Sequence, residues 1–351
     1  MTSTRMIHKT TTALIAAAAM AVPAAASAQS AETPGQGTTI KMARATWDTG
    51  WWQAEVYGQL LEELGYEIGR VTTLDNPPFY QSVAYGDVHL WVNGWFPLHN
   101  SYEGTFSNGA EKVGYVAKGG ALQGYLIDKK TAEEHGITHV EDMTKDDIQT
   151  LFDANGDGKA DLVACPPGWG CEGVISHHFE AYGWDDDFNA IKAGYSASMA
   201  DAIGRYESGE PIFFYTWTPN WTVGELTPGE DVVWLQMNEV KLPEGQKDLA
   251  DETTVMNLEG CQGAKECNLG WPANDIRPVA NSEFLSENPA AAELLRNVRI
   301  PIQDIYAQNA KMNEGADSAE DLENQASTWI EENRDQVDQW LAAAREAAEQ
   351  S

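Results

Sequence analysis

Apolar and polar residues alternate along the chain in segments that predict strands and helices in turn. Thr39–Ala43 has the short apolar pattern of a first strand. A helix is predicted from Trp51, because the apolar residues after it share one face at helical spacing: Val56, Leu60, Leu61 and Leu64. Gly65 supplies a C-terminal stop, and Val83–Trp91 predicts a short helix, a turn and another strand. This strand–helix–strand order predicts an α/β lobe with a mostly parallel sheet.

The rest of the chain continues this pattern and predicts a second lobe. Further strands are predicted at Gly119–Asp128, Pro211–Trp217 and Val232–Leu235. The C-terminal tail predicts helices that break at Asn333. About 320 residues after the N-terminal leader exceed the size at which one hydrophobic core usually divides. We therefore place one lobe at residues 39–125 and 275–351 and the other at residues 126–274.

The N-terminus has the three parts of an export signal. Arg5, His8 and Lys9 form a basic start, an alanine-rich apolar run follows, and Ala26-Ser27-Ala28 supplies the cleavage site. A membrane anchor is the alternative, but the apolar run is shorter than the about 20 residues that span a bilayer. We predict a signal peptide over residues 1–28 and a protein exported to the periplasm.

The charge balance excludes some partners. The chain has 54 acidic and 22 basic residues and a net charge of -32. Such a surface repels nucleic acid and anionic lipid headgroups, so we expect no nucleic-acid partner. Solubility in a salty environment explains the acidity better than a cationic ligand does.

The sequence contains 13 tryptophans, and three of them stand in turn motifs. The motifs are Gly94–His99, Pro167–Gly173 and Tyr215–Pro219, each beside a predicted strand end or helix start. Ligands of open α/β sheets bind at such turns, and a helix N-terminus offers unpaired N–H groups to an anion. Indole faces attract quaternary ammonium groups by cation–π contact. A single tryptophan is more often a core residue, but the three together favour an aromatic ligand cage.

These motifs, together with Gln123–Lys130 and Phe152–Leu162, resemble the glycine betaine/proline betaine-binding proteins of ABC importers. The resemblance implies a type II periplasmic-binding fold, with two α/β lobes that are each flanked by helices. It implies an aromatic box of Trp95, Trp169 and Trp217. The contacts to the ligand's carboxylate fall on His99 and on the backbone N–H groups of Gly170 and Cys171. It also implies a monomer that delivers its ligand to a membrane permease and its ATPase subunit.

A second group of tryptophans departs from the betaine pattern. Trp47, Trp51 and Trp52 follow the first predicted strand, at another ligand-facing turn. This richer cage resembles relatives that bind trimethylamine N-oxide, so the preferred trimethylammonium compound stays open among trimethylamine N-oxide, glycine betaine and proline betaine. We expect at least one of the three side chains to serve lobe packing instead.

The four cysteines form two pairs with equal short spacing. Cys165 and Cys171 are one pair, and Cys261 and Cys267 are the other. Four cysteines allow three connectivities, and the spacing favours two local disulfides in an exported chain. A metal site built from all four thiolates is the alternative, but it would favour closer CxxC pairs. The resemblance implies the bridge between Cys165 and Cys171.

One acidic loop matches the start of an EF-hand-type calcium loop. It would bind through side-chain oxygens and one backbone carbonyl, supplied by Asp153, Asn155, Asp157, Lys159 (carbonyl) and Asp161. Position twelve is Ala164, so the usual bidentate glutamate is missing. An acidic surface turn is the alternative. We predict a structural calcium ion here, and no cofactor that binding requires.

Two other function classes fit a tryptophan-rich exported chain. One is a secreted carbohydrate-active enzyme that works with two carboxylates, and the other is a sensory or carbohydrate-binding module. No acidic residue stands in a recognisable catalytic motif, and no G-x-S-x-G signature is present. We therefore predict a binding protein for transport that catalyses no reaction.

Overall fold

The structure is a computed structural model, and it describes residue 1, residues 32–262 and residues 265–351. The predicted signal peptide and its cleavage site lie outside the described residues, apart from residue 1. Within the described ranges, no helix has the length and apolarity needed to cross a bilayer.

Strands and helices alternate through most of the chain. The strands are β1 Thr39–Ile40, β2 Ala43–Ala45, β3 Glu67–Ile68, β4 Thr72–Leu74, β5 Leu90–Phe96, β6 Ala110–Lys112, β7 Ala117–Asp128, β8 Ala160–Val163, β9 Phe188–Ile191, β10 Phe213–Thr218, β11 Val232–Trp234, β12 Thr254–Met256, β13 Glu266–Asn268 and β14 Asn274–Asn281. The helices are α1 Trp51–Glu63, α2 Asn76–Tyr85, α3 Glu103–Phe106, α4 Lys129–His135, α5 Asp146–Gln149, α6 Gly170–Tyr182, α7 Tyr195–Glu207, α8 Thr222–Glu225, α9 Ser282–Glu287, α10 Pro289–Asn297, α11 Ile302–Asn313, α12 Ala319–Glu332 and α13 Arg334–Glu349.

One sheet runs through the whole molecule. Its strand order is β5-β14-β7-β10-β8-β9, with β6 on β14 and β11 on β7. Strand β7 joins the two parts of this sheet, because its residues Ala117 and Ala121 pair with β14 whereas residues 122–127 pair with β10. Gly119 and Gly120 lie where the pairing of β7 with β14 is irregular, between Ala117 and Ala121, and have φ angles of 67° and 75°. Glycine adopts such angles without steric cost, which permits this irregularity just before the strand changes partners.

The α/β class and the two-lobe fold predicted from the sequence are confirmed, but the sheet is mixed rather than mostly parallel. Strands β8, β9 and β10 pair in parallel, as do β1 with β3 and β2 with β4. Strand β14 pairs antiparallel with β5, β6 and β7. The physical reason is the double crossing: the chain leaves one lobe along β7 and returns along β14 in the opposite direction.

We name the two parts of the molecule by this crossing. The first lobe comprises residues 39–121 and 274–351, and the second lobe comprises residues 122–273. The boundaries predicted from the sequence, after residues 125 and 274, stay a prediction. In β7 the change of sheet partner falls between Ala121 and Leu122.

The helices follow the apolar pattern of the sequence. Helix α1 begins at Trp51 and buries its predicted apolar face completely, with Val56, Leu60 and Leu61 all 0% exposed. The predicted break at Asn333 is present between α12 and α13. The Asn333 amide donates to the carbonyl of Trp329 at 2.8 Å, which satisfies a carbonyl at the end of α12.

Two disulfides join the cysteines as local pairs. Cys165 bonds Cys171, Cys261 bonds Cys267, and the Cα atoms are 6.0 Å apart in each pair. The prediction of two local disulfides is confirmed, and the four-thiolate metal site is excluded. The first disulfide ties the loop after β8 to the first turn of α6.

The structure does not support calcium in the Asp153–Asp161 loop. Asp153 accepts hydrogen bonds from the N–H groups of Gly156 and Gly158, at 2.7 and 2.8 Å. Asp161 accepts from the N–H groups of Ala154 and Asn155, and Asp157 accepts from Lys159 N–H.

Donors of the loop itself thus occupy the carboxylates of Asp153, Asp157 and Asp161 and hold the loop closed. The twelfth position, Ala164, is 1% exposed and brings no oxygen from its side chain. Across the described residues, no group of three or more His, Cys, Asp or Glu could hold a metal ion.

Candidate functional site

A cavity between the two lobes contains the tryptophans that the sequence motifs singled out. It leaves about 300 Å³ unfilled by protein atoms. Its lining is aromatic and uncharged, and consists of Trp47, Trp95, Leu98, His99, Gln123, Trp169, Gly170, Cys171, Tyr215 and Trp217. Trp47 to His99 come from the first lobe and the others from the second. Among the residues that the structure describes, no carboxylate lines the cavity.

Two indole walls belong to the first lobe. Trp95 lies on β5, and Trp47 follows β2, so both stand at ends of neighbouring strands. They are 5% and 7% exposed. The Trp47 ring packs against Trp91 behind it, with the ring centroids 5.5 Å apart. The core of the first lobe thus supports this wall from behind.

The opposite walls belong to the second lobe. Trp169 and Trp217 meet edge to face, with centroids 5.6 Å apart and planes at 77°. Tyr195 supports both rings, because its centroid lies 5.9 Å from Trp169 and 4.7 Å from Trp217. Trp47 closes the ring of walls across the lobes, 5.4 Å from Trp169.

Helix α6 points its N-terminus at the cavity. Gly170 and Cys171 are its first two residues, so the helix contains no acceptor for their N–H groups. These groups and the positive end of the helix dipole favour a negative ligand group at this point. The disulfide of Cys171 fixes the first turn of the helix.

His99 lies against this helix N-terminus as a neutral ring. It is 1% exposed, and burial lowers its pKa to about 3. Its Nδ1 lies 2.7 Å from the Tyr80 hydroxyl and accepts the Trp95 N–H at 3.2 Å, while Nε2 lies 2.9 Å from the Asn76 amide nitrogen. The first lobe therefore anchors both ring nitrogens, and contact of His99 with a ligand carboxylate stays a prediction.

Of the tryptophan cluster after the first strand, only Trp47 lines the cavity. Trp52 is 2% exposed and packs edge-on against Trp329, at 5.9 Å, between α1 and α12. Trp51 donates its indole N–H to the Ala45 carbonyl at 2.7 Å and lies beneath the Arg44 guanidinium. Trp47 precedes α1, whereas Trp51 and Trp52 are its first two residues. The helix directs these two side chains away from the cavity that Trp47 lines.

The site residues expected from the sequence did not include Leu98, Gln123 and Tyr215, although each lies in one of the motifs named above. Tyr215 could have been found, because it stands two residues before Trp217 and strand alternation places both on one face. Leu98 lies within the Gly94–His99 motif. Gln123 reaches the cavity because β7 pairs with β10, opposite Trp217, and its Oε1 accepts the Tyr215 hydroxyl at 2.6 Å.

Comparison with known proteins shows a family and a fold that this chain shares. The family model described as the substrate binding domain of ABC-type glycine betaine transport systems matches residues 38–332. The glycine betaine-binding periplasmic protein OusX of Dickeya dadantii is 41% identical over 318 residues, which cover 90% of this chain and 93% of that protein. The glycine betaine/proline betaine-binding periplasmic protein of Escherichia coli is also 41% identical over 318 residues, 90% of this chain and 92% of that protein.

A solved structure has the same fold at lower identity. Lactococcal OpuAC, in its closed-liganded conformation with glycine betaine, superposes with a TM-score of 0.65 at 18% identity. The match covers 87% of this chain and 99% of that one. The two-lobe binding fold therefore extends over nearly all of the described residues.

Proposed function

Because the chain belongs to the family of substrate-binding domains of ABC-type glycine betaine transport systems, we propose that its tryptophan cavity captures a zwitterionic trimethylammonium osmolyte. The protein is the substrate-binding component of an ABC transporter. Its relatives are periplasmic binding proteins, and we place its action in the periplasm as a monomer. There it delivers the ligand to the membrane permease, which the ATPase subunit drives.

The aromatic walls support a quaternary ammonium group as the ligand's cationic end. Such a group has no N–H to donate and is weakly hydrated, so indole faces bind it better than they bind Na⁺ or K⁺. Each face contributes about 0.5–2 kcal/mol, so four faces contribute roughly 2–8 kcal/mol. A micromolar site requires about 8 kcal/mol. Apolar burial and hydrogen bonds to the anionic end supply the difference.

The charge of the site favours a zwitterion over a net cation. No carboxylate of the described part of the chain lines the cavity, so a cation such as choline finds no counter-ion among these residues. The free N–H groups of Gly170 and Cys171 instead suit a ligand with a carboxylate or an N-oxide oxygen. His99 adds no positive charge, since burial keeps its ring neutral. This combination of an aromatic cage and a helix N-terminus is the observation that carries the proposal.

Among zwitterionic ligands we propose glycine betaine first and trimethylamine N-oxide second. The identity to glycine betaine-binding relatives supports the first. The additional wall of Trp47 supports trimethylamine N-oxide. This compound is smaller than glycine betaine, so indole faces can cover a larger fraction of its surface. Proline betaine shares the carboxylate of glycine betaine and is expected to bind in the same orientation.

A calorimetric ligand panel tests the proposal. We expect glycine betaine to bind with micromolar affinity and without turnover, and choline to bind at least about tenfold more weakly, a difference of about 1.4 kcal/mol. The panel also includes proline betaine, trimethylamine N-oxide and carnitine. Absence of heat with every compound would contradict the function. Choline as the tightest ligand would contradict the zwitterion argument alone.

Calorimetry on one pair of variants tests whether the ligand binds in the tryptophan cavity. Trp169→Ala should weaken glycine betaine binding by about tenfold or more, because a cage face and its apolar contact are lost. Trp221→Ala is the matched control, because Trp221 is a half-buried indole of the same lobe that does not line the cavity. Equal affinities of the two variants would place the ligand elsewhere.

A further inference from the structure

One buried amide bonds the indole N–H groups of both first-lobe walls. The Asn93 Oδ1 atom accepts the Trp47 indole N–H at 2.6 Å and the Trp95 indole N–H at 3.0 Å. Asn93 is 2% exposed and lies on β5, two residues before Trp95, so both side chains project from one face of the strand. It does not line the cavity itself.

A second amide holds the first in place. Asn93 Nδ2 donates to Gln53 Oε1 at 2.6 Å, and Gln53 Nε2 donates to the Thr49 carbonyl at 3.3 Å. Gln53 is 1% exposed on α1. Since two N–H donors approach Oδ1 and one acceptor approaches Nδ2, the Asn93 side chain fits in a single orientation.

The network requires a glycine at position 50, because the backbone there passes close to the Asn93 side chain. A Cβ atom on Gly50 would lie 2.8 Å from Asn93 Cγ, closer than such atoms come. The turn between Trp47 and α1 therefore passes directly over the amide. The network links β5, α1 and the Trp47 loop within one lobe.

The second-lobe walls have no comparable anchor. The Trp169 indole N–H donates across the cleft to Thr46 Oγ1 at 2.9 Å, so this bond depends on the relative position of the two lobes. The buried Trp217 Nε1 has no hydrogen-bond partner among the described residues. The indole N–H groups of Trp47 and Trp95, in contrast, bond within their own lobe.

We propose that Asn93 is a positioning residue for ligand binding, which orients Trp47 and Trp95 as a preformed half of the cage before the lobes close. The inference rests on the proposed function of the cavity. A preformed half-site reduces the ordering that ligand binding requires. Gln53 acts through Asn93, because it fixes the amide that accepts both indoles.

Hydrogen exchange of the indole N–H groups in the ligand-free protein tests the positioning directly. In protein labelled with ¹⁵N-tryptophan, Asn93→Leu should raise the exchange rates of Trp47 and Trp95 by about tenfold or more, the loss of about 1.4 kcal/mol of protection. Trp329 is the internal reference, because its indole donates to Asp304 at 2.8 Å, away from the network. Asn93→Asp retains an oxygen acceptor and should restore the protection.

Affinity separates positioning from general stability. Asn93→Leu should weaken glycine betaine binding by about tenfold or more, a change of about 1.4 kcal/mol. Asn281→Leu is the matched control, because Asn281 is a buried asparagine of the same lobe that bonds Val83, Gly109 and Phe284 and does not line the cavity. It should lose stability and retain affinity.

The outcomes are distinguishable from failure of the proposed function. Unchanged exchange of Trp47 and Trp95 in Asn93→Leu, or unchanged affinity, would overturn the inference. A wild-type protein that binds no ligand of the panel would overturn the proposed function, while the exchange rates would still decide whether Asn93 positions the two indoles. If Asn93→Leu does not fold, indole exchange and ligand affinity are measured in Gln53→Leu instead.

Discussion

At the residue scale, burial controls the protonation of two histidines. His99 and His178 are 1% and 0% exposed, and burial lowers the pKa of each to about 3. His178 bonds the Tyr125 hydroxyl through Nδ1 at 2.9 Å, and its Nε2 has no partner among the described residues. Both rings are therefore neutral in the folded protein at every pH at which it would operate.

This neutrality predicts a loss of stability in acid. Below a pH of about 6.5 the unfolded chain takes up protons on these histidines that the folded chain does not, so the free energy of unfolding falls with pH. Between about pH 7 and pH 5, each histidine accounts for about 2 kcal/mol of this loss. In His178→Leu, the free energy of unfolding measured by chemical denaturation should therefore fall by about 2 kcal/mol less between pH 7 and pH 5 than in the wild type.

The exposed His135 provides the control for this measurement. His135→Leu removes an imidazole that protrudes from the surface at the end of α4. This variant controls for the replacement of an imidazole by leucine as such, at a site that is not buried. If His178→Leu and the wild type lose stability in parallel, the argument from burial is wrong.

At the element scale, the first turn of α6 depends on a glycine. A Cβ atom on Gly170 would lie 2.8 Å from His99 Cδ2 and 3.1 Å from His99 Nε2. Gly170 belongs to the second lobe and His99 to the first, so the contact forms between the lobes. The glycine permits the helix N-terminus to approach the cavity this closely.

Gly170→Ala should therefore impair binding without harming the fold. The added methyl group collides with His99 only when the lobes close, so we expect an affinity at least about tenfold weaker, a change of about 1.4 kcal/mol, in calorimetry. Gly173→Ala is the matched control in the same helix, because a Cβ atom there meets nothing within 4 Å. It should retain affinity and raise the free energy of unfolding by up to about 1 kcal/mol.

At the scale of the whole molecule, hydrogen bonds between the lobes lead us to expect that binding is coupled to closure. Trp169 donates to Thr46 across the cleft, and the Asn76 N–H donates to the Gly168 carbonyl at 3.3 Å. A ligand shifts the molecule toward the closed state only through better contacts in that state. These lobe-to-lobe bonds add to the contacts of the ligand and slow reopening.

Thr46→Val should accelerate ligand release. The variant removes the acceptor for the Trp169 indole, a bond that contributes about 0.5–1.5 kcal/mol, so the dissociation rate should rise by about two- to tenfold. The association rate should stay the same, because the bond forms after the ligand enters. Stopped-flow tryptophan fluorescence measures both rates. Thr328→Val, on the exposed face of α12, is the control and should alter neither.

The sequence alone determined the fold class, the two-lobe organisation and the pairing of the cysteines. It did so because these properties depend on local patterns: apolar spacing along helices and strands, turn residues, and short cysteine separations. It also selected Trp95, Trp169 and Trp217 through their turn motifs, and the family resemblance added His99, Gly170 and Cys171. All of these residues line one cavity. The calcium prediction found no support for the converse reason, since a local motif does not show that its oxygens already accept hydrogen bonds.

Only the tertiary structure decided what depends on contacts between distant segments. It separated Trp47 from Trp51 and Trp52, because the register of α1 against β5 and α12 determines which indole meets the cleft. It brought Gln123 into the cavity through strand pairing, and it placed Asn93 and Gln53, 40 positions apart, in one network. Side-chain orientation in a binding site is a property of packing, and packing is not encoded in any local stretch of the chain.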